Sequence, residues 1–254
     1  MDGFAAERVA LREQQSELSM LLGPLDEESW HRPTRCAGWD VADVVLHLAQ
    51  TNEMAIGSAQ GRFGQVLDEL TEGLGPAGDV DDGAELMVRH QRGGPTGELR
   101  DRWQRAADAL HSSLAEADPH ERVDWVAGQL SVRTLTTTRL AETWIHTGDV
   151  AEALGVDLVP AERLRHIARL AWRTLPYAFA RAGRELKGPV RFELRGPSGD
   201  PWDFVPDGDP VTTIKGDGVE LCMVAARRVE PEATTLAGDG PDATAVLELV
   251  RTYA

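Results

Sequence analysis

The chain has 254 residues, of which 42% are hydrophobic and 27% are charged, and this ordinary globular composition excludes a disordered, collagen-like or disulfide-stapled protein. The formal net charge of −16 would repel a phosphate backbone, which excludes nucleic acid as a partner. No apolar run approaches the roughly 18 residues of a membrane helix, the N-terminus does not have the pattern of a signal peptide, and the two distant cysteines indicate reduced thiols. We therefore expect a cytoplasmic protein that binds no membrane.

Helical spacing of apolar residues dominates the first 182 positions. The predicted helices are residues 1–22, 40–56, 98–117, 131–154 and 160–182. Asp40 is the expected N-cap of the second helix, and Asp43 adds a carboxylate at the third helical position. Helices that follow one another in this way pack as a four- or five-helix bundle. The segment 57–97 holds ten of the 25 glycines, which predicts either a mobile surface connection or a lid over a pocket.

The hydrophobic period becomes that of β-strands after Gly188. Val190, Phe192 and Leu194 alternate with charged residues, which predicts a half-buried strand. Further strands are expected at residues 202–206, 211–215 and 234–237, and helices at residues 218–228 and 242–253. We place a domain boundary near Lys187, so that residues 1–186 form the helical bundle and residues 187–254 a small α/β domain. The expected fold class is therefore α+β.

A candidate metal site comes from two of the predicted helices. Glu142 and His146 are four residues apart, so both side chains project from one helix face and could grip a single cation. His47 lies in the apolar interior of the second helix, which faces the core of a bundle and could meet that pair. Two histidines and one carboxylate leave coordination positions open, as in catalytic metal sites. The alternatives are a solvated helix face for the pair and a hydrogen-bonded core residue for His47.

Two segments around these residues resemble a known family. Residues 33–41 read Pro-Thr-Arg-Cys-Ala-Gly-Trp-Asp-Val and lead to Leu-His-Leu-Ala at 46–49, and residues 139–151 read Arg-Leu-Ala-Glu-Thr-Trp-Ile-His-Thr-Gly-Asp-Val-Ala. A Gly-Trp pair, a helix with a His-Leu-Ala step and a Glu-x-x-x-His helix ending in Asp-Val-Ala resemble the DinB-like helical-bundle superfamily. Within it, the chain is similar to the mycothiol-dependent maleylpyruvate isomerase-like metal-binding proteins. Residues 165–168 and 221–228 extend the resemblance over nearly the whole chain.

The resemblance implies a cofactor and an activity. It implies a divalent metal, usually zinc, held by His47, Glu142 and His146, together with the thiol mycothiol and a sterol-carrier-like C-terminal domain. The ionised sulfur of that thiol would attack an electrophilic small molecule, as in an isomerase or an S-transferase. Residues 224–228 depart from the Trp-rich Gly-Arg ending of the isomerases, so the resemblance does not name maleylpyruvate as the substrate.

His47, Glu142 and His146 are called the trio below. Three polar residues near the trio in the sequence have two interpretations each. Asp149 lies three residues after His146 and could orient its free ring nitrogen, or it is simply a charged residue near the helix end. Arg139 lies three residues before Glu142 and could pair with a carboxylate of the substrate, or it forms a surface salt bridge. Cys36, beside Arg35, could be redox-active, or it is a spectator.

Candidates for binding the cofactor or the substrate come from both predicted domains. Trp39 and Trp144 could wall the pocket, or they pack in the core. Arg227 and Arg228 could hold an acidic substrate from the second domain. Two other functions stay open, namely a non-catalytic protein that binds a metal or small ligand, and a hydrolase or lyase that uses water at the same site. The sequence allows a homodimer without specifying the oligomeric state.

Overall fold

The computed structural model describes residues 3–252, and the chain divides into two compact units, Met1–Leu158 and Val159–Ala254. The first unit contains the long helices, and the second contains a small sheet with short helices. This arrangement confirms the expected α+β class. None of the helices within residues 3–252 combines the length and the apolar character that crossing a bilayer requires.

Four long helices build the first unit: α1 (Gly3–Leu22), α3 (Val41–Ala59), α6 (Thr96–Glu116) and α7 (Val132–Leu154). Both α1 and α3 pack against α6 and against α7, so the four form the expected bundle. Its buried core takes side chains from all of them, including Leu18, Leu48, Trp103 and Val150. The short helix α2 (Glu27–Trp30) and the antiparallel pair β1 (Arg122–Val123) and β2 (Leu130–Ser131) lie in the connections.

The helix that carries His47 begins where the sequence predicts. The Asp40 carboxylate accepts a hydrogen bond from the Asp43 backbone N–H at 2.9 Å, and the Asp43 carboxylate accepts one from the Asp40 N–H at 3.3 Å. This reciprocal capping satisfies two backbone donors that a helix start leaves without partners. After α3, the glycine-rich segment folds into α4 (Phe63–Leu70) and α5 (Val80–Gln91), and both pack against α3. The segment is therefore helical over much of its length, and α5 lies beside the helix of His47.

The second unit is built on a sheet of the strands β3 (Val190–Arg195), β4 (Pro201–Phe204), β5 (Thr212–Asp217) and β6 (Ala237–Asp239). Their order in the sheet is β4-β3-β5-β6, and β3 runs antiparallel to β4 and parallel to β5. The strand expected at 234–237 begins only at Ala237, because the backbone N–H and the hydroxyl of Thr235 donate to Glu220 Oε2 instead of joining the sheet. Two short helices, α10 (Gly218–Ala225) and α11 (Ala243–Leu249), complete this part of the unit.

The division at Leu158 differs from the boundary that we predicted near Lys187. Two helices, α8 (Leu164–Arg173) and α9 (Leu175–Arg181), replace the single helix expected at 160–182. They belong to the second unit, since α8 packs against β4 and α10, and α9 packs against α11. The Trp172 indole N–H also donates to the Val190 carbonyl at 2.7 Å. Hydrophobic periodicity indicates that a segment is helical but not which core it covers, which explains why the two divisions differ.

Candidate metal centre

The three predicted metal ligands meet between α3 and α7. His47 lies in the first half of α3, and Glu142 and His146 lie one turn apart on α7. The distance from His47 Nε2 to Glu142 Oε2 is 3.5 Å, and that from His146 Nε2 to the same oxygen is 3.7 Å. One ligand atom of each residue lies within 4.8 Å of the other two. The bundle therefore brings two imidazoles and a carboxylate to one point.

The separations between these atoms fit a divalent cation. Zinc bonds of about 2.0–2.2 Å at tetrahedral angles place neighbouring ligand atoms roughly 3.3–3.6 Å apart. The side chains of the two histidines are 10% exposed, whereas that of Glu142 is 19% exposed, so the ligand set is largely dry and is most open beside the carboxylate. Three protein ligands would leave a tetrahedral ion one position for a ligand from outside the protein.

The electrostatics of the trio also suit a cation. Burial opposes ionisation of Glu142, but the hydrogen bond with His47 and the charges of His146 and Arg139 outweigh it, so the pKa of Glu142 falls to about 2. Burial lowers the pKa of His47, which favours a neutral ring. Burial also opposes the charged form of His146, but hydrogen bonds with Asp149 and Cys36 and the charge of Glu142 raise its pKa to about 9. A bound cation must therefore displace a proton from His146.

The far side of the His146 ring is held by a carboxylate. His146 Nδ1 lies 3.0 Å from Asp149 Oδ2, and Asp149 is only 1% exposed. This is the orienting position expected for Asp149, and not that of a solvated charge near the helix end. Cys36 Sγ lies 3.3 Å from the same oxygen and 4.0 Å from His146 Nδ1. Cys36 therefore contacts the outer side of the site, which its interpretation as a spectator did not anticipate. For His47, in contrast, Nδ1 has no hydrogen-bond partner among the described residues.

An aromatic wall covers the two histidines on one side. The Trp39 ring lies 5.1 Å from the His47 ring and 6.5 Å from the His146 ring, centroid to centroid, which is the position expected for a wall residue. Its indole N–H donates to Glu85 Oε2 on α5. Trp144 lies two residues from both Glu142 and His146, about 200° around the helix, so it leaves α7 on the side away from the trio. Nothing in the sequence pattern pointed to Glu85.

Arg139 is buried rather than exposed, which corrects its interpretation as a surface salt bridge. The residue is 0% exposed, and its Nε and Nη2 atoms both lie 3.3 Å from Asn52 Oδ1. Arg139 Nη1 and Asn52 Nδ2 have no hydrogen-bond partner among the described residues. Burial lowers the pKa of Arg139 to about 10. Asn52 was missed from the sequence, because it lies within the polar run 50–53 of the second helix and nothing in the pattern sets it apart.

The two arginines proposed for substrate binding belong to the second unit. Arg227 Nη2 donates to the Glu248 carbonyl at 2.7 Å, and Arg228 Nη1 donates to the Ala226 carbonyl at 3.1 Å. Arg227 has φ of 57° and is the one non-glycine residue with positive φ in residues 3–252. A side chain in this left-handed region costs roughly 1–2 kcal/mol. The backbone strain, which the sequence did not reveal, sets Arg227 apart from its neighbour.

Comparison with known families decides the classification. Residues 11–151 match the family model of the mycothiol maleylpyruvate isomerase N-terminal domain. The chain belongs to this family. The matched residues include the trio of metal-ligand candidates and also Cys36, Trp39, Arg139 and Asp149. Arg227 and Arg228 lie outside the region that defines the mycothiol maleylpyruvate isomerase N-terminal domain family.

Similarity to individual proteins extends beyond that domain. The chain is 31% identical over 245 residues to two uncharacterized proteins of Mycobacterium tuberculosis, Rv0036c of strain H37Rv and MT0041 of strain CDC 1551, and the alignment covers 96% of this chain and 93% of each relative. Two crystal structures of the mycothiol-dependent maleylpyruvate isomerase, one of a histidine-to-alanine mutant, share its fold with a TM-score of 0.61 and 17% identity. The match covers 94% of this chain and 95% of those chains. The likeness in fold therefore extends over nearly the whole of this chain.

Proposed function

We propose that this protein is a metal-dependent enzyme that uses a low-molecular-weight thiol, in particular mycothiol, to isomerise an electrophilic small molecule or to transfer the thiol to it. The observation that carries the proposal is the close approach of His47, Glu142 and His146 in a chain whose family is that of the mycothiol maleylpyruvate isomerases. Isomerisation and transfer begin with the same attack by sulfur and differ in whether the sulfur leaves again.

The proposed roles of the residues follow from their positions. His47, Glu142 and His146 would hold the divalent cation, and zinc suits two imidazoles and a carboxylate. When bound, the cation would stabilise the ionised form of a thiol, whose reference pKa of about 8.5 leaves only a few per cent ionised at pH 7. Asp149 accepts from His146 Nδ1 and fixes the direction of that ring. Trp39 shields the histidine rings from water on one side.

The residues around the trio also supply charge for the substrates. Arg139 is a buried cation near Glu142, and it would favour a ligand that carries negative charge, such as a thiol sulfur or a carboxylate. Within the second unit, taken by itself, we keep Arg227 and Arg228 as candidates for binding an acidic group, because the strained backbone of Arg227 is typical of residues retained for function. A non-catalytic binding protein would use the same trio without turnover.

A cobalt-substituted protein tests the thiol directly. Adding mycothiol to the cobalt form should produce a sulfur-to-cobalt charge-transfer band in the near ultraviolet, and His47→Ala should abolish both the band and stoichiometric cobalt. The matched control is His90→Ala, since His90 is exposed on α5. If wild-type protein retains cobalt but shows no band and binds no thiol at millimolar concentration, the thiol role is wrong, and a hydrolase or lyase that uses water becomes the leading alternative.

A further inference from the structure

The turn before α3 holds Cys36 in a fixed place. The Thr34 N–H donates to the Trp39 carbonyl, and the Trp39 N–H donates to the Cys36 carbonyl, each at 3.0 Å. The Cys36 N–H in turn donates to Thr34 Oγ1 at 3.2 Å. Pro33 and Asp40 pair as an isolated antiparallel bridge at the base of this turn. Because these bonds close the turn on both sides of Cys36, the backbone fixes the point and the direction at which its side chain leaves the turn.

The thiol of Cys36 meets the carboxylate that holds His146. Cys36 Sγ is 3.3 Å from Asp149 Oδ2, and His146 Nδ1 is 3.0 Å from that same oxygen. Asp149 is almost completely buried, so water does not compete freely for it. Two donors on one oxygen restrict the rotation of the carboxylate, and the direction of the carboxylate in turn restricts the rotation of the imidazole ring.

We propose that Cys36 is a positioning residue of the metal centre: its thiol donates to Asp149 Oδ2 and thereby keeps His146 Nε2 directed at Glu142. The inference rests on the proposed metal site and adds one residue to it. The sequence offered only a redox role or no role for Cys36. A third use would be as a metal ligand, since Cys36 Sγ, His146 Nδ1 and Asp149 Oδ2 also lie within 4.8 Å of one another. A metal there would have to break the bond between His146 and Asp149, and so would compete with the arrangement that directs Nε2 at Glu142.

Zinc affinity of three variants tests the proposal. Hydrogen-bond partners of ligating histidines contribute about 10–100-fold to metal affinity. Cys36 acts on such a partner, Asp149, and a thiol is a weak donor. We therefore expect Cys36→Ala to weaken zinc binding about 3–10-fold. Cys36→Ser keeps a hydroxyl donor and should remain within about 2-fold of wild type. Cys222→Ala is the matched control, because Cys222 is buried in the second unit and its thiol donates to the Leu164 carbonyl. Competition with a chromogenic chelator measures all four affinities.

A spectroscopic readout separates positioning from general loss of structure. In zinc-loaded protein labelled with nitrogen-15 histidine, the Nδ1 proton of His146 should resonate far downfield because it is bonded to a buried carboxylate. This signal should move upfield in Cys36→Ala and stay in place in Cys36→Ser and Cys222→Ala. A cobalt form without added thiol should show no sulfur-to-cobalt band, whereas a Cys36 ligand would produce one that the serine variant loses.

Four results would overturn the inference. Unchanged zinc affinity in Cys36→Ala would show that the thiol contributes nothing to the site. An equal loss in Cys36→Ser and Cys36→Ala, or a sulfur-to-cobalt band without added thiol, would indicate that the sulfur itself is needed as a ligand. If wild-type protein binds no zinc through His47, Glu142 and His146, the proposed function and the role of Cys36 fail together, whereas tight wild-type binding with no effect of Cys36→Ala overturns only the latter.

Discussion

Replacing Arg139 and Asn52 together, by methionine and leucine, is expected to stabilise the metal-free protein. Arg139 is fully buried, its hydrogen bonds to Asn52 are long at 3.3 Å, and one donor of each side chain lacks a partner among the described residues. Burial lowers the pKa of Arg139 from its usual value to about 10, and a fall of this size corresponds to about 3 kcal/mol of cost for the charged form. Replacing a buried charged group and its partner by apolar residues often gains 1–4 kcal/mol, so the two magnitudes agree.

Each single variant should be less stable than the double variant. Arg139→Met removes the cost of burying the charge but leaves the Asn52 amide buried without a partner, which costs about 1–3 kcal/mol. Asn52→Leu leaves a buried guanidinium without its hydrogen bonds, which costs about 3–5 kcal/mol. The double-mutant cycle should therefore give a coupling free energy of several kcal/mol, with the double variant at or above wild type.

Urea unfolding of the metal-free protein, followed by far-ultraviolet circular dichroism, measures these free energies. Arg100→Met is the control, because Arg100 is exposed on α6 and should change stability by less than about 0.5 kcal/mol. If the double variant is less stable than wild type by more than about 1 kcal/mol, the buried pair contributes net stability. Its presence would then need no functional explanation, and the reasoning would be refuted. If it is more stable but binds an anionic thiol more weakly, the charge serves the site.

Three further predictions concern the site and the second unit. Asp149→Asn should lower zinc affinity about 10–100-fold, whereas Glu152→Gln, an exposed neighbour on the same helix, should leave it unchanged in the same chelator competition. Because the pKa of His146 is raised to about 9, zinc binding at pH 7 should release the His146 proton, and zinc affinity should fall about tenfold for each pH unit below 9. Calorimetry in buffers of different ionisation enthalpy measures the released proton. A zinc affinity that does not depend on pH would contradict this prediction. Arg227→Gly relieves roughly 1 kcal/mol of backbone strain and loses one exposed hydrogen bond to the Glu248 carbonyl, so the temperature of thermal unfolding should change little. A fall of more than about 1 kcal/mol in the free energy of unfolding would mean that the Arg227 side chain has a structural role.

Local signals in the sequence predicted the parts of the structure that depend on short spacings. Asp40 and Asp43 marked the start of α3 because capping involves residues three apart. Glu142 and His146 share a helix face because four residues make about one turn. His47 joined them because an apolar helix interior faces a bundle core, and the structure places its Nε2 3.5 Å from Glu142 Oε2.

Features that depend on long-range packing could not be predicted in this way. The segment 160–182 is amphipathic whichever core it covers. Its hydrophobic period therefore could not predict that it belongs to the second unit. Arg139 lies three residues before Glu142, a spacing that a surface ion pair and a buried charge share. The contact between Cys36 and Asp149 joins residues 113 positions apart, and no local pattern encodes it.

X-ray absorption at the zinc edge of the zinc-loaded protein, recorded with and without mycothiol, tests the central claim most directly. Without the thiol, the spectrum should show only nitrogen and oxygen ligands at about 2.0–2.2 Å, and adding the thiol should introduce one sulfur at about 2.3 Å. Both signals should disappear in His47→Ala protein after dialysis, because the ion should no longer be retained. A zinc shell that keeps only nitrogen and oxygen ligands at saturating thiol, or that is unchanged in His47→Ala, would contradict the account.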